Sequence, residues 1–223
     1  MSDLLPIFPL PNVVLFPGVF LPLHIFEPRY REMVADALTS DRLIGMVLLR
    51  PGWQHEYEGR PPVYPTGCSG VITHVETLAD GRYNIVLRGV ERFRILEEEG
   101  SRSYRRAIVE PVPDGAGSGD DHAAVRRQRS KLEALLAPTI ERSLSATGRL
   151  ETIGGPGRDS KIPATMADED LVNALAQYLD LEPLEKQALL EQHSLRRRAE
   201  SLVELLEMKI LIARTPGLSN VAH

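Results

Sequence analysis

Short apolar runs separated by turn residues fill the first half of the chain, up to about residue 110. In one of them, Tyr83, Ile85 and Leu87 occupy every second position. A period of two predicts strands of a sheet with one buried face and one wetted face. The predicted strands are LIGMVLLR from Leu43, GVITHVETL from Gly70, RYNIVLRGV from Arg82 and YRRAIVEPV from Tyr104.

Two local signals connect these strands. Asp80-Gly81 lies between two of the runs, and Asp-Gly supplies the positive φ angles of a tight hairpin turn, so the runs on either side are expected to pair antiparallel. Apolar residues recur at helical spacing from Pro28 to Leu38, and proline suits the first turn of a helix because its missing amide needs no partner there. We expect this helix to lie against the sheet.

The pattern changes to a helical period in the second half of the chain. The stretch PVPDGAGSGDD, from Pro111, has little to bury and predicts a flexible connection. Helices are predicted around Val125–Leu136, Leu171–Leu179 and Leu195–Ile210, with caps at Asp168 and Ser194 and a short helix from Pro183. Residues 145–163 are polar and rich in glycine, which predicts a mobile loop. The predicted organisation is a β-rich subdomain at 1–112, a linker at 113–121 and an α-helical subdomain at 122–223.

The composition of the chain argues against several classes of function. The 223 residues contain 26 basic and 31 acidic side chains, and a net charge of −5 repels phosphate backbones, so nucleic acid is not an expected partner. No window has the roughly 20 apolar residues of a membrane span. Cys68 is the only cysteine, which excludes an internal disulfide and fits a reducing compartment. The prolines near the N-terminus interrupt any signal-peptide helix, so we expect a cytoplasmic protein that binds no membrane.

The sequence contains no recognisable motif for catalysis. GGPGRDSK and GAGSG lack the order of a phosphate-binding loop, and the six histidines are too scattered for a metal site. Cys68 and His74 fall in one apolar strand region about 20 Å apart, which favours a structural cysteine. Ser69 in GCSG misses the nucleophile elbow because Val71 replaces the second glycine. The arginine runs RRQRSK and RRR are interpreted as solvated helix faces. We expect no catalytic residue, no cofactor and no metal.

Three prolines interrupt the apolar segment NVVLFPGVFLPLHIFEPRYREM, from Asn12, which a central strand or helix interior would not tolerate. Together with its flanks this segment, LPIFPLPNVVLFPGVFLPLHIFEPRYREMV, resembles the opening of the Lon N-terminal domain, the substrate-recognition region of the ATP-dependent protease Lon. The resemblance continues through DRLIGMV and LADGRYNIVLRGVERFRI and covers nearly the whole chain.

The resemblance implies an α+β fold, with a PUA-like β pseudobarrel and one helix followed by an α-helical bundle. It also implies an edge strand, a turn at Pro17-Gly18, a second strand and a helix entry at Pro28, which places the prolines at edges, turns and a helix start. Because these residues contain no Walker motif and no serine-lysine peptidase motif, we expect a stand-alone Lon-domain protein that is not an enzyme.

The function implied is the binding of unfolded or exposed apolar polypeptide segments, as an adaptor or regulator in proteolysis or quality control with a protease or chaperone as partner. The loop RPGWQHEYEGRPPVYPTG, from Arg50, offers aromatic side chains for such a surface, although a cover for an open end of the sheet is the more ordinary role for them. The predicted polypeptide-binding residues are Phe16, Phe20, Trp53, Tyr57 and Tyr64. The alternative is a small-molecule-binding protein or an unrecognised enzyme with a cleft between the two subdomains. The oligomeric state is left open.

Overall fold

The computed structural model describes residues 4–56, 59–114, 119–147 and 165–214. Six strands and one helix come first, and four more helices follow. The strands are β1 Leu5–Leu10, β2 Phe20–Ile25, β3 Leu43–Leu48, β4 Thr66–Thr77, β5 Tyr83–Glu99 and β6 Arg105–Pro111. The helices are α1 Pro28–Leu38, α2 Gly119–Thr147, α3 Asp168–Tyr178, α4 Pro183–Leu190 and α5 Leu195–Arg214, and a 3₁₀ turn spans Trp53–Glu56. The predicted α+β class is confirmed.

Five of the six strands close into a ring. The order is β2-β5-β4-β3-β1-β6, and an additional pairing of β5 with β6 completes the circle. β5 makes this possible because its 17 residues pair with β2 and β4 along its first part and with β4 and β6 along its second. β2 pairs with β5 alone and is therefore an edge strand outside the ring.

The interior of the ring is filled by inward-facing apolar side chains. One cluster joins Leu5, Ile7, Val47, Phe93 and Ala107, contributed by four different strands. α1 covers the barrel from outside, and its Tyr30 ring lies 4.3 Å from the ring of Phe8 in β1, measured between centroids. The expected packing of this helix against the sheet is thus observed.

The prolines of the N-terminal segment lie where strand pairing does not need their amides. Pro17 and Gly18 form a type II turn, closed by a hydrogen bond from the Val19 amide to the Phe16 carbonyl, with Gly18 at φ 77°. Pro22 lies in edge strand β2, and Pro28 opens α1. One detail is corrected: residues 14–16 are buried, but residues 12–16 form no strand, so the predicted strand before the turn is absent.

The Asp80-Gly81 hairpin forms as predicted, with a different turn. β4 and β5 pair antiparallel on either side of it. The Gly81 amide donates to the Leu78 carbonyl, and Gly81 alone has a positive φ, at 78°. Asp80 instead accepts from the Arg82 amide at 3.1 Å, so its side chain stabilises the turn in place of a second left-handed residue.

The helix starts agree with the capping signals in two cases. Pro183 is at the start of α4, and the Ser194 hydroxyl accepts from the Arg197 amide at 3.3 Å, as an N-cap does. Asp168 differs, because it lies inside the first turn of α3. The predicted loop at 145–163 lies outside the described residues except for 145–147, which belong to α2, and 148–163 receive no structural description.

The chain divides into two compact units that differ from the boundaries expected from sequence. The first is Met1–Pro113 with Asn173–Glu191, and the second is Asp114–Val172 with Gln192–His223. The inclusion of 173–191 in the β-rich unit has a physical cause, because side-chain hydrogen bonds join the two segments. They are Asn173 Nδ2 to the Pro17 carbonyl, Gln187 Nε2 to the Thr66 carbonyl and Arg92 Nη1 to the Leu190 carbonyl.

In the second unit, α2 packs against α5. Among the described residues, the buried apolar side chains of these two helices are Ala124, Val125 and Leu132 of α2 and Ala199, Leu202, Val203 and Leu206 of α5. Arg198 corrects the interpretation of the RRR run as a solvated face. Its side chain is fully buried, and its two terminal nitrogens donate to the Asp114 carboxylate at 2.9 and 3.1 Å.

Candidate functional site

An exposed row of mostly apolar side chains runs along β2. Phe20, Pro22 and His24 point to solvent because side chains of a strand alternate between its two faces, and Phe26 continues the row just after the strand. Phe20 is 50% exposed and Phe26 is 60% exposed. We call Phe20, Pro22, His24 and Phe26 the β2 stripe. Exposed apolar groups that share one row of the surface are a candidate binding site.

The backbone edge of β2 is protected against pairing with another strand. The Tyr178 hydroxyl donates to the Phe20 carbonyl at 3.0 Å, and Pro22 has no amide to offer. Edge strands that carry proline and covered carbonyls resist the addition of a further strand. A ligand of the stripe is therefore expected to contact its side chains more than its backbone.

A chain of hydrogen bonds fixes the polar side chains beside the stripe. His24 Nε2 is 3.2 Å from Nη1 of Arg82, which can only donate, so this ring nitrogen accepts. His24 Nδ1 then donates to Asn84 Oδ1 at 2.7 Å, and Asn84 Nδ2 donates to Glu76 at 2.7 Å. A shallow groove of about 380 Å³ across β2, β5 and β4 is lined by His24, Asn84, Glu76 and Pro22 among others. The face therefore combines an apolar row with a polar margin.

The structure treats the predicted binding residues differently. Phe20 is exposed and belongs to the β2 stripe. Phe16 is fully buried, which corrects its placement on an exposed patch: residues 14–16 turn inward, and the Phe16 carbonyl lies against Gly89 of β5. Tyr57 lies outside the described residues. Phe26 was not among the predicted binding residues, although its position two residues after His24 continues the alternation of β2.

Trp53 and Tyr64 form a separate surface. Both are half-buried, and the Arg50 guanidinium covers the Tyr64 ring at 5.4 Å from its centroid. Phe20 pairs with Arg88 of β5. When the pairing is followed from β5 through β4 to β3, the residue opposite this position is Leu43, at the start of β3. Trp53 comes after the end of β3. β3 is about 17 Å long at about 3.3 Å per residue. The register does not bring Phe20 and Trp53 together, and a binding role for the loop stays a prediction.

A second concavity, a cleft of about 480 Å³, lies in the same unit beside the start of α1. Tyr104 forms part of its floor and donates a hydrogen bond from its hydroxyl to Asp36 at 2.7 Å. Burial, and secondly this bond to a carboxylate, raise the pKa of Tyr104 to about 12. The group is thus a neutral phenol throughout the physiological range.

Tyr104 is expected to titrate at a higher pH than an ordinary tyrosine. Because its pKa is raised from about 10 in the unfolded chain, its contribution to stability is complete below about pH 10 and is lost as pH rises through about 12. Tyrosinate absorbance against pH measures this, and Tyr104→Phe should remove the late step. Asp36→Asn should lower the pKa only partly, since burial is the larger cause. A late step that survives in Tyr104→Phe would assign it to another tyrosine.

Cys68 and His74, the residues considered for catalysis in the sequence, lie at different depths in β4. Cys68 is buried in β4, and His74 is exposed further along the same strand. Within the described residues, no three His, Cys, Asp or Glu side chains are grouped to hold a metal ion. None of the helices in the described part of the chain has the length and hydropathy to cross a membrane.

Comparison with known proteins defines the class. The model of the ATP-dependent protease La (LON) substrate-binding domain family matches residues 4–208. The chain belongs to this family, as its sequence resemblance indicated.

Curated relatives are Lon proteases. Lon protease 2 of Myxococcus xanthus is 30% identical over 213 residues, which are 94% of this chain and 24% of the relative. The Lon protease of Anaeromyxobacter dehalogenans is 30% identical over 92% of this chain and 23% of its own length. The chain thus spans about a quarter of these relatives, in the part that the substrate-binding family covers.

Two solved structures share the fold. The N-terminal domain of a Mycobacterium avium complex Lon protease aligns with a TM-score of 0.65 at 18% identity and covers 92% of this chain and 98% of its own. A Lon N-terminal domain protein from Xanthomonas campestris aligns with a TM-score of 0.57 at 23% identity, over 91% of this chain and 98% of its own.

Proposed function

We propose that this chain recognises unfolded or exposed apolar polypeptide segments, and that the β2 stripe is the surface that binds them. Membership of the substrate-binding family supports recognition of protein substrates in Lon-type proteolysis. The single observation that supports this location is the exposure of Phe20 and Phe26 on one side of an edge strand.

The dimensions and energies suit an extended segment. Phe20 and Phe26 are six residues apart, which corresponds to about 20 Å along a strand and to an extended peptide of about six residues. Burying the exposed half of one phenylalanine side chain, about 100 Å², contributes about 2.5 kcal/mol at about 25 cal/mol per Å². Two such groups give an affinity that is weak, reversible and tolerant of sequence, as recognition of many clients requires.

The cellular role we propose is that of an adaptor or regulator that delivers clients to a protease or chaperone. The Lon relatives support an association with proteolysis. A cytoplasmic location is part of the proposal and rests on the use of one cysteine, a buried free thiol. The alternative of a small-molecule-binding protein or enzyme stays a prediction of the sequence.

Phe20→Ala is expected to weaken binding of an unfolded polypeptide about tenfold. The reason is the loss of about 1.4 kcal/mol or more of apolar burial, which is tenfold in affinity. Fluorescence anisotropy with a labelled, reduced and alkylated protein that cannot fold measures the dissociation constant. Because the contact is apolar, raising the salt concentration should change the wild-type affinity little.

Leu96→Ala provides the matched control. Leu96 is an equally exposed apolar residue of β5, 58% exposed, in the part of that strand that pairs with β6. Its removal should leave affinity unchanged, and both variants should keep the thermal midpoint of the parent. Equal losses in the two variants, or none in Phe20→Ala, would reject the β2 stripe as the binding surface. Trp53→Ala in the same assay tests the separate loop surface.

A further inference from the structure

The lining of the cleft beside α1 includes buried apolar and aromatic residues. They are Pro9, Tyr30, Leu49, Pro61 and Tyr104. The Arg29 guanidinium already covers the Tyr30 ring at 4.7 Å from its centroid, so the proline and Tyr104 rings are the ones left to contact another ring or an aliphatic group. A volume of about 480 Å³ is in the range of small-molecule pockets and also admits one or two peptide residues.

The rim of this cleft is cationic. The charged residues that line it are four arginines and one glutamate: Arg29, Arg60, Arg102, Arg105 and Glu27. Three of the arginines are held by carboxylates, and most of those carboxylates lie outside the lining. The nearest nitrogen–oxygen distances are 2.6 Å for Arg105–Glu98, 2.9 Å for Arg29–Glu27, 3.6 Å for Arg102–Asp36 and 3.7 Å for Arg102–Glu32.

Arg60 differs from the other three. It is exposed at the mouth of the cleft, and in the described part of the chain it forms no ion pair and no hydrogen bond. Its guanidinium lies over Gly100, where an added Cβ would approach its Nη1 to 2.7 Å. A glycine at this point leaves room for the planar group, whose five donors need an acceptor. Arginine forks match carboxylates in a bidentate geometry.

We propose that this cleft binds a single carboxylate attached to an aromatic or aliphatic group, with Arg60 holding the carboxylate and the proline and Tyr104 rings of the lining contacting the apolar part. One arginine without a partner suits one oxyanion, and the apolar part of the lining suits an uncharged body. The neutral phenol of Tyr104 adds no negative charge that would repel the ligand. Two sources supply this chemistry: the C-terminal residue of a polypeptide and a free aromatic acid.

The site is independent of the β2 stripe. It is lined by residues of β1, α1 and β6 and of the loops beside them, and Phe20 is not part of its lining. Phe20→Ala should therefore leave ligand binding in the cleft unchanged, so that failure of this proposal and failure of the proposed function can be told apart.

The test follows backbone-amide NMR signals of the isotope-labelled chain during titration with defined probes. Acetylated phenylalanine mimics a chain terminus, phenylpropionate mimics a free acid, and phenylpropionamide has the same body without charge. Either acid should shift signals of Gly59, Arg60 and Ser103, and the tighter of the two identifies the source. Arg60→Ala should weaken that binding about tenfold, as expected for a charge-assisted contact.

Arg94→Ala is the matched control, because Arg94 is an exposed arginine of β5 paired loosely with Glu110 at 3.6 Å. It should bind the acids as the parent does. Equal shifts with the amide, shifts with inorganic phosphate in place of the acids, or unchanged affinity in Arg60→Ala would each overturn the proposal. Retention of the other signals of the spectrum in Arg60→Ala shows that the variant is folded.

Discussion

Arg198→Ala is expected to destabilise the protein by about 3 to 5 kcal/mol, because it leaves the Asp114 carboxylate without the partner that compensates its burial. The Arg198 side chain is fully buried, and the Asp114 side chain is 19% exposed. Both nitrogens of the guanidinium fork donate to that carboxylate. The free energy of unfolding, measured by urea denaturation followed by circular dichroism, tests this.

The next residue along the chain supplies the control. Arg197 pairs with Glu200 at 3.1 Å while its side chain stays 58% exposed, and exposed pairs contribute about 0 to 1 kcal/mol. Arg197→Ala should therefore change stability little. Replacing both buried partners, as Arg198→Met with Asp114→Leu, should cost less than Arg198→Ala alone, since no buried charge is then unpaired. Similar effects of Arg198→Ala and Arg197→Ala would contradict this account of the buried pair.

Gly89→Ala is expected to have the second large effect, about 3 kcal/mol or more of destabilisation. An added Cβ would overlap the Phe16 carbonyl oxygen and lie 2.8 Å from the Phe16 carbonyl carbon and 3.2 Å from the Pro17 Cα. These are backbone atoms, so no side-chain rotation relieves the clash. The Gly89 amide also donates to the Val19 carbonyl at 2.9 Å, which fixes the turn that leads into β2.

Gly89→Ala should therefore also disturb the β2 stripe. Loss of the Gly18 and Val19 hydrogen bonds to Gly89 would loosen β2, and polypeptide affinity should fall along with the thermal midpoint. Val90→Ala is the control, because Val90 is 48% exposed and its truncation leaves no cavity in the core. A Gly89→Ala protein as stable as Val90→Ala would show that the turn can move away from β5 at little cost.

Much of the fold could be predicted from local patterns in the sequence. Short apolar runs between turn residues predicted β3 to β6, and the proline at the start of α1 marked its first turn, because both signals depend on neighbouring residues alone. The ring closure was not predictable in this way. It depends on the length of β5 and on its register shifts opposite Ser69/Gly70 and Ile72/His74, which are properties of pairing between distant segments.

The candidate site was predictable in part for the same reason. Phe20 was identified because aromatic residues near a turn are often exposed, yet Phe16 has the same local character and is buried. The difference arises from the contact of residues 16–17 with Gly89, more than 70 positions away in the sequence. No sequence pattern marked Arg60 as a binding residue. Whether its guanidinium has a partner depends on which carboxylates the fold places beside it and beside the neighbouring arginines.

The β2 stripe is tested most directly by locating a bound polypeptide on the protein. An unfolded polypeptide carrying a spin label broadens the amide signals of residues that lie near it in the complex. The account predicts broadening that is strongest from Phe20 to Phe26 and at Asn84 and Val86 beside them, with Leu96 unaffected. Broadening centred on Trp53 and Tyr64, with the β2 signals unchanged, would contradict it.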